Sequence, residues 1–210
     1  MDKLAKYKSM RSEAKTPEPF GQSPQGKPNQ NKLVFVIQKH QATTLHYDFR
    51  LETGGVMPSW AIPKGPSLDP AIKRLAMKTE DHPLDYRNFE GVIPEGEYGA
   101  GKVIIWDEGT YYPETEIEGR RVRVKAKSEG EIVIEEGLKK GEIKFFLEGK
   151  RLNGSFALVK TRGFGGRENA WLLIKHKDEF SKPGFDAKEF LTSVRSGKDL
   201  EQFAKPAING

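Results

Sequence analysis

The segment Leu45-His46-Tyr47-Asp48-Phe49-Arg50-Leu51 alternates apolar and polar side chains along its whole length. A β-strand sends successive side chains to opposite faces, so this period of two predicts a strand with one apolar face. The opposite face would carry His46, Asp48 and Arg50, which are an imidazole, a carboxylate and a guanidinium in a row. The segment therefore predicts a half-buried strand with a chemically distinctive polar side.

Similar short apolar runs recur outward from this segment, separated by Gly, Pro and charged residues that favour turns. They lie at 33–37, 60–62, 75–79, 102–106, 121–125, 131–135, 142–147, 154–160 and 171–175. Strands at this spacing predict a mainly β protein, either an antiparallel sandwich or a barrel.

Three regions are predicted along the chain. Residues 1–32 are polar and rich in Lys, Pro, Gln and Gly, which predicts a flexible arm or lid that cannot bury apolar surface by itself. Residues 33–180 would form the β domain. Residues 181–210 predict a helical tail with helices at 186–194 and 199–205, the second capped by Asp199 and ended by Pro206.

Composition limits the class of protein. The 210 residues suffice for one sizeable domain, and the net charge of +5 with a pI of about 9.2 favours a polyanionic partner or simply a basic soluble surface. The absence of cysteine excludes disulfides, thiolate zinc sites and thiol catalysis, so the nucleophile is expected to be water. There is no long apolar run and no secretion signal, and we expect an intracellular, cytoplasmic protein.

A candidate metal site lies around the opening segment. His40 precedes a predicted bend at 41–44, and a chain that folds back there would bring its ring beside His46 and Asp48. Two imidazoles and one carboxylate leave coordination positions open, which suits Mn, Fe or catalytic Zn. The alternative is an ordinary polar outer face of a half-buried strand.

Further candidates lie downstream. The segment Glu80-Asp81-His82-Pro83-Leu84-Asp85-Tyr86 offers residue types used for proton transfer, although a lone His can also be structural. Lys64 and Arg74 are candidate phosphate contacts or solvated surface charges. The glycine-rich segment 91–101 lacks the Lys-Ser/Thr of a P-loop, and a tight barrel corner is the favoured interpretation.

Taken in order, these segments resemble the 3′-phosphoesterase module of the bacterial DNA ligase D family of end-joining repair enzymes, which also occurs as stand-alone proteins. The similarity runs from Thr16 to Lys175. It is carried by Gln38-Lys39-His40, residues 45–50, Pro63-Lys64-Gly65-Pro66-Ser67, residues 80–86 and Gly91-Val92-Ile93-Pro94-Glu95-Gly96. Because the similarity covers one module of the ligase, we expect a free-standing protein or an isolated module.

The resemblance implies a β-barrel and a Mn-dependent nuclease activity on primer strands. Such an enzyme removes a 3′-terminal ribonucleoside and then the exposed 3′-phosphate; other divalent metals are possible. The implied partner is the 3′ end of a primer-template duplex, with an end-joining ligase or polymerase as a possible protein partner. The resemblance makes His40, His46 and Asp48 the metal ligands, and Arg50 and His82 contacts of the scissile phosphate.

The resemblance also implies roles for residues elsewhere in the chain. Further positions tied to activity are Lys64, Arg74, Glu80 and Tyr86, and the arm is expected to supply Arg11 and Glu18. The family commonly has Arg-Asp-Phe where this chain has Arg11-Ser12-Glu13. That missing carboxylate bears on how the arm is held and on the balance between the two activities.

Two routes to the products remain open from the sequence, direct attack by water and attack by a vicinal 2′-hydroxyl through a cyclic phosphate. Two other functions are also open. His46, Asp48 and distal His82 match the composition of a non-haem iron oxygenase site. A non-catalytic nucleic-acid-binding barrel would use exposed aromatic rings to stack on bases, for which the candidates are Trp60, Trp106 and Tyr98.

Overall fold

The period-two segments of the sequence form a closed antiparallel barrel in the computed structural model, which describes residues 2–21, 31–162 and 166–203. The strands are β1 Leu33–Gln41, β2 Leu45–Leu51, β3 Val56–Met57, β4 Ser59–Ile62, β5 Lys73–Lys78, β6 His82–Pro83, β7 Gly91–Ile93, β8 Gly101–Ile117, β9 Arg120–Arg123, β10 Glu142–Gly149, β11 Asn153–Lys160 and β12 Ala170–Lys175. The helices are α1 Ala5–Ser9 and α2 Lys127–Lys140, and 3-10 turns lie at Leu84–Asn88 and Ala187–Glu189.

The barrel strands follow the order β1-β2-β4-β5-β12-β11-β10-β8, and pairing of β8 with β1 closes the ring. All of these pairings are antiparallel. Strands β7 and β9 pair with the two ends of the long strand β8, while β3 and β6 form a separate two-stranded sheet. The prediction of a mainly β barrel is therefore confirmed.

Aromatic side chains fill the barrel interior. Trp60 and Trp106 are completely buried, and the rings of Phe145 and Phe156 stack with centroids 6.3 Å apart. Burial of this kind is the main favourable contribution to folding, and replacing one such ring by alanine costs about 3–5 kcal/mol. The two tryptophans belong to the core, so the predicted stacking of nucleic-acid bases on them is wrong.

Three predicted elements differ from the structure. Residues 131–135 are part of α2 instead of a strand: Ile134 is buried against the barrel while Ile132 is 57% exposed, so their spacing of two does not mark a common face. The helix ends at Gly141, whose φ of 84° is the left-handed conformation of a C-terminal cap. Two apolar residues were too few to distinguish the periods of helix and strand.

The predicted helices near the C-terminus are also wrong. The helical part of residues 186–194 is the short 3-10 turn Ala187–Glu189, with the Asp186 side chain accepting a hydrogen bond from the backbone of Lys188. Residues 199–203 form a bridge and turns, and the rest of the predicted second helix lies outside the described residues. Phe185 and Ala187 are buried in the core, so tertiary packing fixes this segment in an irregular path.

The N-terminal arm packs against the barrel over residues 2–21. Tyr7, in α1, is completely buried, and its hydroxyl donates a hydrogen bond to the carbonyl of Pro19. Its ring also contacts Phe20 and His82, at centroid distances of 5.8 and 5.1 Å. The arm thus buries apolar surface through a few aromatic residues, contrary to the expectation from its average composition, and the proposed division into three regions stays a prediction.

Candidate metal and phosphate site

The polar face of β2 is completed by the preceding strand. Strands β1 and β2 form a hairpin in which His40 lies directly opposite His46, and Gln38 opposite Asp48. The chain bends at residues 42–44, as predicted. Because side chains at alternate positions share a face, these four residues and Arg50 project from the same side of the hairpin.

Three side chains in this group have the geometry of metal ligands. One ligand atom from each of His40, His46 and Asp48 lies within 4.8 Å of the other two. The Asp48 carboxylate has Oδ2 3.4 Å from Nδ1 of His40 and Oδ1 3.6 Å from Nε2 of His46. The imidazole centroids are 4.7 Å apart. A divalent cation is therefore a suitable occupant of the space that the three side chains face.

Backbone carbonyls fix the hydrogen on both imidazoles. Nε2 of His40 donates to the carbonyl of Gly99, and Nδ1 of His46 donates to that of Thr44, each at 2.9 Å. A carbonyl only accepts, so in each neutral ring the other nitrogen carries the lone pair and faces the Asp48 carboxylate. Metal-binding histidines usually donate their other ring N–H to a carbonyl in this way, and a cation would satisfy both lone pairs and the carboxylate.

Asp48 is ionised in this environment. Burial by itself would raise the pKa of Asp48, but the Arg50 guanidinium holds it well below its usual value. Asp48 is therefore available as an anionic ligand at any ordinary pH. The site residues present thus fit a divalent metal in charge, donor type and orientation.

Two guanidinium nitrogens of Arg50 are hydrogen-bonded within the site, and the third is not. Its Nε donates to Oε1 of Gln38 at 2.8 Å, and its Nη2 donates to Oδ2 of Asp48 at 3.1 Å. The guanidinium lies 4.7 Å from the centroid of the Tyr86 ring. Its Nη1 is buried and has no hydrogen-bond partner among the described residues. A buried, unpaired and charged donor is costly, so Nη1 is available to donate to an acceptor, and the predicted role of Arg50 toward a phosphate stays a prediction.

His82 lies on the other side of the same pocket. Its Nδ1 is 2.9 Å from the carbonyl of Glu80, which it can only reach as a donor, so Nε2 is the acceptor nitrogen of the neutral ring. Burial, followed by the positive charges of Arg50 and Arg11, lowers the pKa of His82 well below its usual value. The imidazole is neutral in the free protein, and its Nε2 lies 3.5 Å from Nη2 of Arg11.

The arm adds a buried network of ion pairs to the site. Arg11, with a side chain only 3% exposed, donates through Nε to Glu18 at 2.9 Å and through Nη1 to Glu80 at 3.1 Å. Glu18 also accepts from the hydroxyls of Tyr86 and Thr16, each at 2.8 Å. Arg11 and Glu18 thus contact Glu80, His82 and Tyr86 directly, and their role in catalysis stays a prediction.

Lys64 and Arg74 stand apart from this network. Lys64 is exposed in the turn after β4, and Arg74 lies in β5, which pairs antiparallel with β4. Among the described residues, neither makes a hydrogen bond or salt bridge with the site residues above, and Nε of Arg74 is buried without a partner. Their roles toward a phosphate stay predictions.

The glycine-rich segment supports His40 and leads into β8. Gly99 contributes the carbonyl that orients the ring, while Gly101, with a φ of 149°, lies where β8 meets the end of β1. A Cβ on Gly101 would be 2.3 Å from the carbonyl oxygen of Gln41. The segment is a tight corner of the barrel, which is the interpretation that the sequence favoured. Tyr98, in the same corner, is 46% exposed.

The contacts that two residues make in this site were not anticipated from the sequence. Gln38 accepts from Arg50 and donates through Nε2 to the carbonyls of Tyr86 and Phe89, so it joins the two halves of the pocket. Its position two residues before His40, on the same face of β1, was the available signal. Tyr7 packs on His82, and its ring centroid lies 4.0 Å from the Arg11 guanidinium. No pattern in the surrounding sequence predicts either contact.

The structure also bears on the alternatives. The candidate metal ligands are His40, His46 and Asp48, whereas His82 lies beside Arg11 and Glu80. This arrangement does not match the oxygenase set, which needs His82 as the second histidine. No helix in the described ranges is long and apolar enough to cross a membrane.

Sequence comparisons agree with this geometry. Residues 38–160 match the family described as the DNA Ligase D 3′-phosphoesterase domain. The multifunctional non-homologous end joining protein LigD of Pseudomonas aeruginosa is 47% identical over 99% of this chain and 24% of its own length. The multifunctional non-homologous end joining DNA repair protein LigD of Mycobacterium tuberculosis is 41% identical over 88% of the chain and 21% of its own length. The chain therefore spans about a quarter or less of these relatives.

Proposed function

The chain belongs to the DNA ligase D 3′-phosphoesterase family, and from that premise we propose that it is a metal-dependent hydrolase that heals the 3′ ends of nucleic acid strands. It removes 3′-terminal ribonucleosides as a phosphodiesterase and 3′-phosphates as a phosphomonoesterase. The product is a 3′-hydroxyl end that is suitable for repair by end joining, which is the process that appears in the names of its relatives. The preferred metal is Mn²⁺.

The observation that carries this proposal is the position of Arg50 beside the three candidate ligands. Its Nη2 shares the Asp48 carboxylate with His40, and its buried Nη1 has no partner among the described residues. A cation held by His40, His46 and Asp48 would supply charge neutralisation at a phosphate oxygen and activation of water. A phosphate placed there accepts from Nη1 of Arg50, where negative charge develops in the transition state.

His82 and Arg11 complete the phosphate pocket in this proposal. His82 offers Nε2 as a hydrogen-bond acceptor for the attacking hydroxyl or for a protonated phosphate oxygen. Burial, followed by the charges of Arg50 and Arg11, disfavours a protonated His82 and lowers its pKa, and a bound phosphate offsets the two charges. The same side chain can therefore donate a proton to the leaving oxygen once the phosphate is in place. Tyr86 holds its ring against both His82 and Arg50, and so positions the two groups.

Two nucleophiles are compatible with this arrangement. Water is available from solvent, and a ribonucleotide whose 3′ oxygen carries the scissile phosphate also offers a vicinal 2′-hydroxyl. In the removal of a terminal nucleoside this is the penultimate nucleotide. Comparing a 2′-hydroxyl with a 2′-O-methyl group on the nucleotide that bears the scissile phosphate separates the routes, because methylation removes the internal nucleophile and leaves the external one.

The test uses a primer-template labelled at the primer 5′ end and carrying one ribonucleotide at its 3′ end. With Mn²⁺, we expect stepwise conversion to a shorter 3′-phosphate strand and then to a 3′-hydroxyl strand. Arg50→Gln should lower the rate constant about 10²–10³-fold, as is typical for the loss of one transition-state donor. A matched control is His176→Gln, which changes the histidine outside the pocket. Equal turnover after removal of divalent metal, or by the Arg50 variant, would overturn the proposal.

A further inference from the structure

Positive charge is concentrated in one short segment that the active site does not use. Residues 118–127, Glu-Gly-Arg-Arg-Val-Arg-Val-Lys-Ala-Lys, contain five basic residues and one acidic residue, a net charge of +4. The whole chain has a net charge of +5. The rest of the protein is therefore nearly neutral, and the basic character of the sequence comes largely from this segment.

The segment, here called the basic hairpin, supplies the turn and the second strand of a two-stranded ribbon, and its last residue begins α2. The end of β8 pairs with β9 in the register Glu114↔Arg123 to Ile117↔Arg120. The turn has positive φ at both central residues, 50° at Glu118 and 74° at Gly119, as in a type I′ turn. Residues 116–123 are all exposed. The hairpin is thus closed by a tight turn and presents residues 116–123 to solvent.

Four of the five cations of the basic hairpin form no salt bridge with the described residues, while Lys127 pairs with Glu52. The four cations that have no carboxylate partner within the described residues are Arg120, Arg121, Arg123 and Lys125. Two of the guanidinium groups are nevertheless held in place. Arg121 donates to the Ser155 hydroxyl at 2.9 Å, and Arg123 lies over the ring of Phe146 at 3.3 Å. Preorganised and unpaired cations of this kind suit the phosphates of a nucleic acid.

The long strand β8 connects the basic hairpin to the metal site. Val103, near the start of β8, lies opposite His40, and Ile117 ends the same strand. These residues are 14 positions apart, which at 3.3 Å per residue is a path of about 46 Å as an upper limit for a straight strand. Phosphates of one strand of duplex DNA are spaced about 3.4 Å along the axis, so this path corresponds to roughly 14 base pairs at most.

We propose that the basic hairpin binds the phosphate backbone of the duplex at a distance from the 3′ end that occupies the metal site. This inference rests on the proposed function, because it assumes that a duplex end lies at His40 and His46. The contact is to phosphates and not to bases, so it contributes affinity without sequence preference. A duplex too short to span the path loses the contact, whereas its 3′ end still reaches the metal.

The test compares wild type with Arg120→Gln/Lys125→Gln, which removes two exposed cations that form no salt bridge with the described residues. Binding of labelled primer-templates with 24 and 6 base pairs is measured between 50 and 200 mM salt. Each lost phosphate contact reduces the slope of log affinity against log salt by about 0.9. We expect a slope smaller by about 1.8 on the long duplex, so wild-type affinity falls about 12-fold more than that of the variant over this range. On the short duplex the two proteins should match.

A matched control is Lys182→Gln/Lys188→Gln, which removes two exposed lysines from the C-terminal segment and should leave the slope unchanged. An unchanged slope for the hairpin variant on the long duplex would overturn the inference, as would an equal loss on both duplexes. Cleavage of the short duplex is measured in the same samples. If the hairpin variant has the wild-type salt slope and the wild type cleaves normally with Mn²⁺, only the hairpin contact is refuted. If the wild type does not cleave, the proposed function is refuted.

Discussion

Gln38 gives the sharpest prediction, because one neutral side chain joins both halves of the candidate site. Replacing it by leucine keeps the volume similar but removes one hydrogen bond from the Arg50 guanidinium and two to backbone carbonyls, all completely buried. A bond to a charged group contributes about 1.5–3 kcal/mol, and each neutral bond about 1 kcal/mol. Gln38→Leu should therefore lower the free energy of unfolding by roughly 3–5 kcal/mol.

The same change should also impair catalysis, because Arg50 would then be held only through Asp48 and the Tyr86 ring. We expect the rate constant for 3′-end cleavage to fall at least about tenfold under conditions in which the variant remains folded. Urea unfolding and single-turnover cleavage measure the two effects separately. Gln41→Leu is the matched control, since it makes the same change at an exposed position of the same strand and should cost less than about 0.5 kcal/mol. A Gln38 variant with wild-type stability and cleavage would refute this reasoning.

Three other perturbations have defined outcomes. Gly101→Ala puts a Cβ 2.3 Å from the carbonyl oxygen of Gln41. It should lower the melting temperature far more than Gly55→Ala, because nothing lies within 4 Å of a Cβ added at Gly55. Equal effects of the two changes would contradict the close approach of β1 and β8. Burial and the nearby cations lower the pKa of His176 to about 4, so the unfolded state binds an extra proton below about pH 6.5. Stability should therefore fall as the pH drops from 6.5 to 4, and His176→Gln should flatten this dependence in chemical denaturation; an unchanged pH profile would contradict the assignment. Deleting residues 1–20 removes the arm's ion pairs from the pocket and should reduce 3′-end cleavage more than it reduces Mn²⁺ affinity, and a truncated protein with normal turnover would show that the arm is dispensable.

The part of the site that could be predicted from sequence is local. Alternation from Leu45 to Leu51 identifies β2 and its polar face, and the bend before it places His40 within reach of His46. These inferences depend on neighbouring residues and on the fixed period of a strand. They succeed because the hairpin is closed by a short turn, which leaves few possible registers.

The remaining features depend on contacts between distant segments. Local alternation did not distinguish a sandwich from a barrel, and the closing pair of β1 with β8 joins residues about seventy positions apart. Ile132 and Ile134 suggested a strand because two apolar residues satisfy a period of two, whereas the surrounding Glu and Lys residues favour the observed helix. Tyr7 reaches His82 across the chain, and no periodic pattern encodes that contact.

The charge distribution of the folded chain could also be predicted only in part from the sequence. The total of +5 suggested a polyanionic partner, but the sequence alone did not show which cations remain unpaired. Lys127, at the edge of the basic hairpin, pairs with the buried Glu52 at 2.6 Å, while Arg120 is exposed without such a partner in the described structure. The distinction depends on the fold, because pairing partners come from strands and helices remote in sequence.

The central claim is that His40, His46 and Asp48 together bind one divalent cation, and calorimetric titration of Mn²⁺ into the purified protein tests it most directly. Wild type and the control His176→Ala should each bind one Mn²⁺ per chain with the same affinity. Separate replacement of His40, His46 or Asp48 by alanine should weaken binding by at least about tenfold while far-UV circular dichroism retains the β spectrum. Wild-type Mn²⁺ affinity in the His46→Ala and Asp48→Ala variants would contradict the account.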